Sequence, residues 1–471
     1  MEQSEGLIGN LAASIGASRD ALTLLISLLL GYPLALIYRQ WLYGTSPWKQ
    51  HLYFTLTGLW LTYFNFGINI IHPVANILLN YLLLVFLGGS SMSVVLAFVI
   101  NMGYLCIGYY VTMTDSYTIR WTTAHCVLTL RLTGVVFDVF DGKQKQEKLS
   151  AEQQETALSR KPSLLEMMAH SFYFGGTLVG PQFSMKRYQD LVGGAFSDPK
   201  TGACPDSIKA GFLRLAAGIF YVALYQLSGL IASETDFTAP WYEAKPFWWK
   251  VLHIAIWGKF VLNRYVACWL ITEGACIITG LTYNGLDSEG NPKFDACANI
   301  DITGYESSKN GQEVIAAFNI NTNKWAAKYV FKRLKFLGNK TLSQGATLLF
   351  LALWHGLVSG YFVCFYLELV NILTEKDVIS IFQRTGVDAW FRPFPRNVLK
   401  WCLCKFYQLF SLGYALVGFC TYSINKWGPV YYQTYFVIPI IYTFWPLVSP
   451  FIKKLVLPKV EINGNQSKKQ E

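Results

Sequence analysis

Charge is what this chain has least of. Only 14% of its 471 residues are Asp, Glu, Lys or Arg, against about 25% in soluble domains. Together with repeated long apolar runs, that deficit places the chain in a membrane. The net charge of +10 is scattered and never forms the basic blocks that bind nucleic acid. On a membrane protein it reads as positive bias of cytoplasmic loops and attraction to anionic headgroups. Catalytic signatures are missing too. No G-x-S-x-G elbow, no H-E-x-x-H and no Cys–His metal spacing is present, so hydrolase and zinc chemistry lack support. The ten cysteines are dispersed, mostly in apolar runs (Cys268, Cys276, Cys364, Cys420), which favours free thiols over a disulfide framework. "WCLCKF", with Cys402 and Cys404, has no second pair to complete a metal site. The opening "MEQSEGLIGN" lacks the basic start of a cleaved signal, so the first apolar span is expected to stay. No fixed-period repeat and no inverted symmetry of the transporter kind appears.

What is present is apolar sequence in long runs; 53% of the chain is hydrophobic and 16% aromatic. A spanning helix needs about 20 apolar residues. Segments 21–41, 52–71, 74–88, 91–113, 121–140, 208–233, 247–280, 342–373, 400–424 and 431–451 approach or exceed that length. The expectation is one all-α domain over 1–471, a polytopic transmembrane bundle of about 10–11 spans with re-entrant and interfacial helices. Three polar stretches interrupt it, 141–162, 185–207 and 282–341, the first expected to face solvent. The last four residues, "KKQE", resemble a dilysine retrieval signal, and 455–471 reads as a cytosolic tail that would fix the C-terminus in the cytosol. The "NKT" at Asn339 is a glycosylation sequon, expected to be unused beside a basic cytosolic helix.

Inside the longest loop, "NTNKWAAKYVFKRLKFLGN" has helical spacing, with Thr322 as its expected N-cap and Gly338 past its last turn. Lys324, Lys328, Lys332 and Lys335 fall within an arc of roughly 80°, and Trp325, Tyr329, Val330 and Leu334 take the other side. That pattern describes a helix lying on the membrane surface. The same ammonium groups would attract a phosphate-rich substrate such as coenzyme A, and Arg333, projecting from the apolar side, either snorkels or pairs with a buried phosphate. Just upstream, "FNIN" places Asn319 and Asn321 at a loop–helix junction, where asparagine commonly serves turn chemistry.

The next span, "ATLLFLALWHGLVSGYFVCF" (346–365), places a histidine among apolar residues. Read as one helix over 342–373, Gln344, His355, Ser359 and Tyr366 share a face, and Ala352, Gly356 and Gly360 form a stripe of small residues for close packing. An ionisable group inside a membrane is a functional candidate by default, because burying it without use costs several kcal/mol. None of His51, His72, His125, His170 and His253 combines this setting with the small-residue escort. A neutral imidazole suits removal of a proton from an alcohol near neutral pH. With an acyl group already activated as a thioester, no covalent intermediate is needed, and an amide such as Asn319 supplies a hydrogen bond to the oxyanion.

"WHGLVSGYFVCF" (354–365), preceded by "FNINTNKW" (318–325), resembles the membrane-bound O-acyltransferase family, whose marked residues are an Asn before a basic loop helix and a His in a following apolar span. "LLEMMAHSFYFGGTLVGPQFSMKRY" (164–188) is similar to a second signature, of the lysophospholipid branch. Ser359 departs from that branch, where Pro is frequent. The resemblance implies His355 as the catalytic residue with Asn319 its partner, and Trp325, Lys328, Lys332, Arg333, Gln344, Trp354, Gly356, Ser359, Gly360 and Tyr361 as candidates for substrate contact. It implies acyl-coenzyme A as co-substrate, no tightly bound cofactor and no metal. It further implies a lysophospholipid acceptor (lysophosphatidylcholine, also lysophosphatidylethanolamine and lysophosphatidylserine), polyunsaturated donors, and residence in the endoplasmic reticulum membrane. The bilayer is the expected partner, nucleic acid is not, and homo-oligomer formation stays open. The alternatives are the same chemistry on a sterol, a diacylglycerol or a protein, and a lipid transporter or scramblase.

Overall fold

The computed structural model describes residues 6–114, 118–198 and 200–457. Among these the chain is helical, with two isolated β-bridges and no extended sheet. The helices that frame the cores and the site are numbered α1 Arg19–Ile37, α2 Pro47–Phe66, α3 Ile71–Leu87, α4 Ser91–Thr112, α5 Trp121–Asp141, α6 Leu164–Ser171, α7 Ile208–Ser228, α8 Phe247–Val261 and α9 Asn263–Ile278. The second half adds α10 Gly311–Ala317, α11 Ile320–Ala326, α12 Lys340–His355, α13 Ser359–Arg384, α14 Arg396–Thr421, α15 Ile424–Gln433 and α16 Val437–Val456.

Among the described residues seven helical stretches are long and apolar enough to cross a membrane, or eight if α15 and α16, bent by 78°, make one span. The sequence suggests about ten segments of spanning length, and two of the differences have local causes. Expected spans 52–71 and 74–88 form one run, Pro47–Leu87, in which a short 3-10 turn at Gly67 (φ 56°) joins α2 to α3. Expected span 342–373 breaks in two: α12 stops at His355, and α13 starts at Ser359. The dilysine signal lies outside the described residues, and positions 455 and 456 of the expected tail belong to α16.

Three cores result. One joins α1–α6 to the end of α9, a second joins α7–α9 to α10 and α13–α16, and a third joins α4 and α5 to α11 and α12. The helices differ in what covers them. α5 has 78% of its apolar stretch buried inside the protein, whereas α7 has 17%, leaving side chains such as Leu213 and Phe220 exposed on its outer face. Close helix crossings rest on paired glycines. A methyl on Gly258 would lie 2.3 Å from the Gly413 Cα, and one on Gly360 would lie 2.0 Å from the Gly418 carbonyl oxygen. α14 is thereby held against both α8 and α13. All ten cysteines are free thiols; Cys276, Cys364 and Cys420 are buried and Cys402 is exposed.

The second signature, 164–188, forms a packing hub. Tyr173, Phe174 and Tyr188 meet Phe54 of α2. The wholly buried Arg131 of α5 donates to the carbonyls of His170 (3.0 Å), Ser171 (3.1 Å), Gly176 (2.9 Å) and Pro181 (2.9 Å). Four acceptors replace the water that this guanidinium loses.

Candidate active site

The helix break decides where His355 goes. Gly356 adopts φ 148°, and a methyl there would also strike the Tyr361 ring at 2.9 Å, so both conformation and space require glycine. α12 therefore ends on His355, and its neighbours beyond the break turn away. Gly360 N–H and Ser359 Oγ both donate to the Tyr422 carbonyl, at 2.9 and 3.3 Å. The expected polar face is consequently divided. Gln344 stays on α12, Ser359 receives the Trp427 indole N–H at 3.2 Å, and Tyr366 meets Thr443 at 2.8 Å. The stripe of small residues is likewise cut, and only Gly360 carries on into a close crossing.

Aromatic rings frame the imidazole: Trp354 at 4.6 Å, Phe419 at 5.0 Å, Phe365 at 5.4 Å and Tyr361 at 5.6 Å between centroids. His355 makes no hydrogen bond to any described residue. The other five histidines all have partners. His51 meets Tyr188 (2.7 Å), His72 meets Tyr104 (3.0 Å), His125 meets Asn76 (3.1 Å) and His170 meets the Phe183 carbonyl (3.1 Å). His253 approaches Asp236 at 3.3 Å. Only His355 keeps its ring nitrogens for something that is not protein.

That ring opens into a cavity of about 190 Å³ bounded by α9–α14 and α16, and Asn319 lines the same cavity. Asn319 sits at φ 53°, ψ 41°, the left-handed conformation that asparagine tolerates better than most residues. It precedes α11, so the helix starts one turn ahead of the expected cap Thr322, and its own side chain does no capping. Its Oδ1 accepts from Asn299 Nδ2 (3.3 Å), while Asn299 Oδ1 accepts the Asn321 N–H (2.9 Å). Asn323 Nδ2 closes the turn on the carbonyls of Ile315 (2.9 Å) and Phe318 (3.0 Å). Oδ1 is occupied in this way, and the Asn319 amide nitrogen makes no hydrogen bond to any described residue.

The remaining walls are mostly apolar and aromatic. Lining positions on α13 run from Cys364 through Glu368 and Asn371 to Glu375, about 16 Å of helix. Glu375 accepts the Gly311 N–H (2.9 Å), and Gln408 of α14 also lines the cavity. Two carboxylates face this space, and no lysine or arginine lines it.

Of the twelve candidates taken from the sequence, His355 and Asn319 alone reach the cavity. The basic segment packs Trp325, Tyr329 and Val330 against α5 and leaves Lys324, Lys335 and Phe336 exposed. It begins as α11, passes through a π-turn at Ala327–Phe331 and finishes as a 3-10 turn, with Gly338 left-handed after it as its spacing predicts. Three of its five cations meet carboxylates. Lys328 lies 3.5 Å from Asp138 and also bonds Thr156, Lys332 pairs with Glu152 (2.5 Å), and Arg333 grips Asp141 with both nitrogens. Burial pulls the Lys328 ammonium below the usual lysine range, and Asp138 opposes that. Stretch 141–162, expected to face solvent, supplies two of these partners through the short helix Ala151–Thr156. Trp325 and Trp354 point their indole N–H groups at α5 carbonyls. Sequence reading missed Glu368, Asn371, Glu375, Gln408 and Phe419. The spacing 364, 368, 371, 375 was the available signal, a polar stripe at helical period continuing past the segment that holds the histidine.

The profile of MBOAT, the membrane-bound O-acyltransferase family, matches residues 106–417, which contain both cavity residues. The chain is 44% identical over 460 residues to "Lysophospholipid acyltransferase 5" of Homo sapiens, covering 96% of this chain and 93% of the relative. It is 37% identical over 462 residues to the protein of that name in Caenorhabditis elegans, covering 96% of each, and 36% identical over 432 residues to that of Drosophila melanogaster, covering 90% and 86%. The chain is a polytopic membrane enzyme and belongs to the membrane-bound O-acyltransferase family.

Proposed function

We propose that this protein transfers a fatty acyl chain from acyl-coenzyme A to the free sn-2 hydroxyl of a lysophospholipid, with His355 as general base. The observation that carries the reading is the one histidine without a protein partner, at a helix end, sharing a mostly apolar cavity with Asn319. The relatives' name supplies the acceptor class.

The reaction requires little covalent help, because the thioester arrives activated. A ring nitrogen of His355 takes the hydroxyl proton as the oxygen attacks the thioester carbonyl. Aromatic walls hold water away and orient the reactants. The Asn319 amide donates to the oxyanion as the carbonyl becomes tetrahedral. The carbon–sulfur bond then breaks, the new ester is released, and the proton passes from His355 to the leaving sulfur to give coenzyme A thiol. His355 closes α12, so the carbonyl end of that helix lies beside the ring while it carries positive charge. The absence of lysine and arginine from the lining suits entry of the reacting end of the donor, its phosphates remaining outside.

The finer reading is lysophosphatidylcholine as the main acceptor, lysophosphatidylethanolamine and lysophosphatidylserine as others, polyunsaturated chains as preferred donors, and an endoplasmic reticulum location with the C-terminus in the cytosol. The test is the purified protein in detergent with acyl-coenzyme A and a panel of lysophospholipids, a sterol and a diacylglycerol, following thiol release and acyl product. Transfer to lysophospholipids with none to the other acceptors is expected. Transfer only to a sterol or diacylglycerol, or no acyl transfer by active-site-intact protein, would overturn the assignment.

A further inference from the structure

We infer that α5 is a rail that sets the separation of Asn319 and His355, with Trp325 and Trp354 as its positioning residues. The inference rests on the reading that these two residues perform the chemistry. Trp354 adjoins His355, and its Nε1 donates to the Cys126 carbonyl at 2.7 Å. Trp325 lies in α11, the helix that Asn319 opens, and its Nε1 donates to the Leu130 carbonyl at 3.0 Å. These acceptors are one turn apart on one helix, about 6 Å of rise. Helix carbonyls keep a second lone pair after their internal bond, so each can accept an indole as well.

The attachment continues along the same face. Position 134 is glycine, and a methyl there would lie 3.3 Å from Trp325 Nε1 and 3.8 Å from the Tyr329 ring. Asp138 accepts the Tyr329 hydroxyl (2.7 Å), and Asp141 accepts Arg333. Positions 126, 130, 134, 138 and 141 are spaced four, four, four and three apart, a single stripe. The rail is itself immobilised, because Arg131 of α5 is held by four carbonyls and lies 4.5 Å over the Phe183 ring. A fifth contact fixes the His355 arm from a second helix, the Tyr109 hydroxyl donating to the Trp354 carbonyl at 2.8 Å. Neither tryptophan lines the cavity, so each acts on catalysis through the placement of its neighbour.

The experiment uses the full chain, purified in detergent, as wild type, Trp325→Phe and Trp354→Phe. Binding of a non-reactive thioether analogue of acyl-coenzyme A counts intact donor sites. Turnover is expressed per occupied site, which removes any contribution from a misfolded fraction. The partition of donor between transfer to lysophosphatidylcholine and hydrolysis by water is the second readout. Each variant should bind the analogue at wild-type stoichiometry, while transfer per occupied site falls roughly 10- to 100-fold, as expected for a misplacement on the order of 1 Å. Hydrolysis should rise relative to transfer, because water demands less alignment than a lysolipid hydroxyl. Wild-type turnover per site and wild-type partition in both variants would overturn the rail. Should the Phe variants lose the donor site, Gly134→Ala decides, since it displaces Trp325 without removing the hydrogen bond donor; a raised hydrolysis share supports the inference and a wild-type share overturns it. His355→Ala leaves the α5 contacts intact, so failure of the chemical assignment is read separately.

Discussion

The carboxylates of α5 and Glu368 of α13 lie out of bulk water and are treated in opposite ways, while Glu375, two turns further along α13, is met by the Gly311 N–H. On α5, Asp138 is bonded by Tyr329 and Thr156 with Lys328 nearby, and Asp141 by Arg333. On α13, Glu368 lines the cavity and has no hydrogen-bond or ionic partner among the described residues. The histidines divide in the same fashion, five partnered and His355 not. A polar group matched within the protein is scaffold, because its desolvation cost is already met. One left unmatched beside a cavity persists because a substrate completes it.

The contrast can be broken by substitution. Arg131→Leu should have the largest effect on stability, since it leaves four buried carbonyls without donors, at about 1 kcal/mol or more each; thermal unfolding in detergent would show a collapse of the folded fraction, and a wild-type melting temperature would refute the hub. Asp138→Asn should destabilise by about 3 kcal/mol, the cost of breaking a buried pair from one side. Glu368→Gln, its counterpart on α13, should leave stability equal or higher, because it removes a desolvated charge. Equal destabilisation by the two changes would erase the difference between the helices. Asn319→Gly keeps the left-handed backbone and deletes the amide, so transfer should drop at least tenfold, about 1.4 kcal/mol; a smaller loss would reduce Asn319 to a turn residue. Lys332→Gln removes one exposed partner of Glu152 and should shift stability by less than about 1 kcal/mol.

Much of the molecule is legible in its sequence, for physical reasons. Low charge and long apolar runs specify a membrane bundle. His355 stands out because an imidazole in an apolar run is costly, and its place beside Gly356 lies inside the quoted motif. What escaped is non-local. The break at Gly356 depends on Tyr361 packing against it, so a helical projection across 342–373 put Ser359 and Tyr366 on a face they do not share with His355. The lysine arc describes a surface stripe, and the carboxylates that meet two of its members, Asp138 for Lys328 and Glu152 for Lys332, lie far away in the chain. Trp325 and Trp354 looked like substrate contacts, since nothing local announces two carbonyls of α5 as their acceptors.

The most direct measurement is single-turnover acyl transfer by His355→Ala with donor already bound. Prebinding separates chemistry from substrate capture. Transfer should fall by roughly 100- to 10,000-fold, the range a positioned general base contributes, with donor affinity and melting temperature at wild-type values. Transfer within about tenfold of wild type, some 1.4 kcal/mol, would contradict the role given to this imidazole.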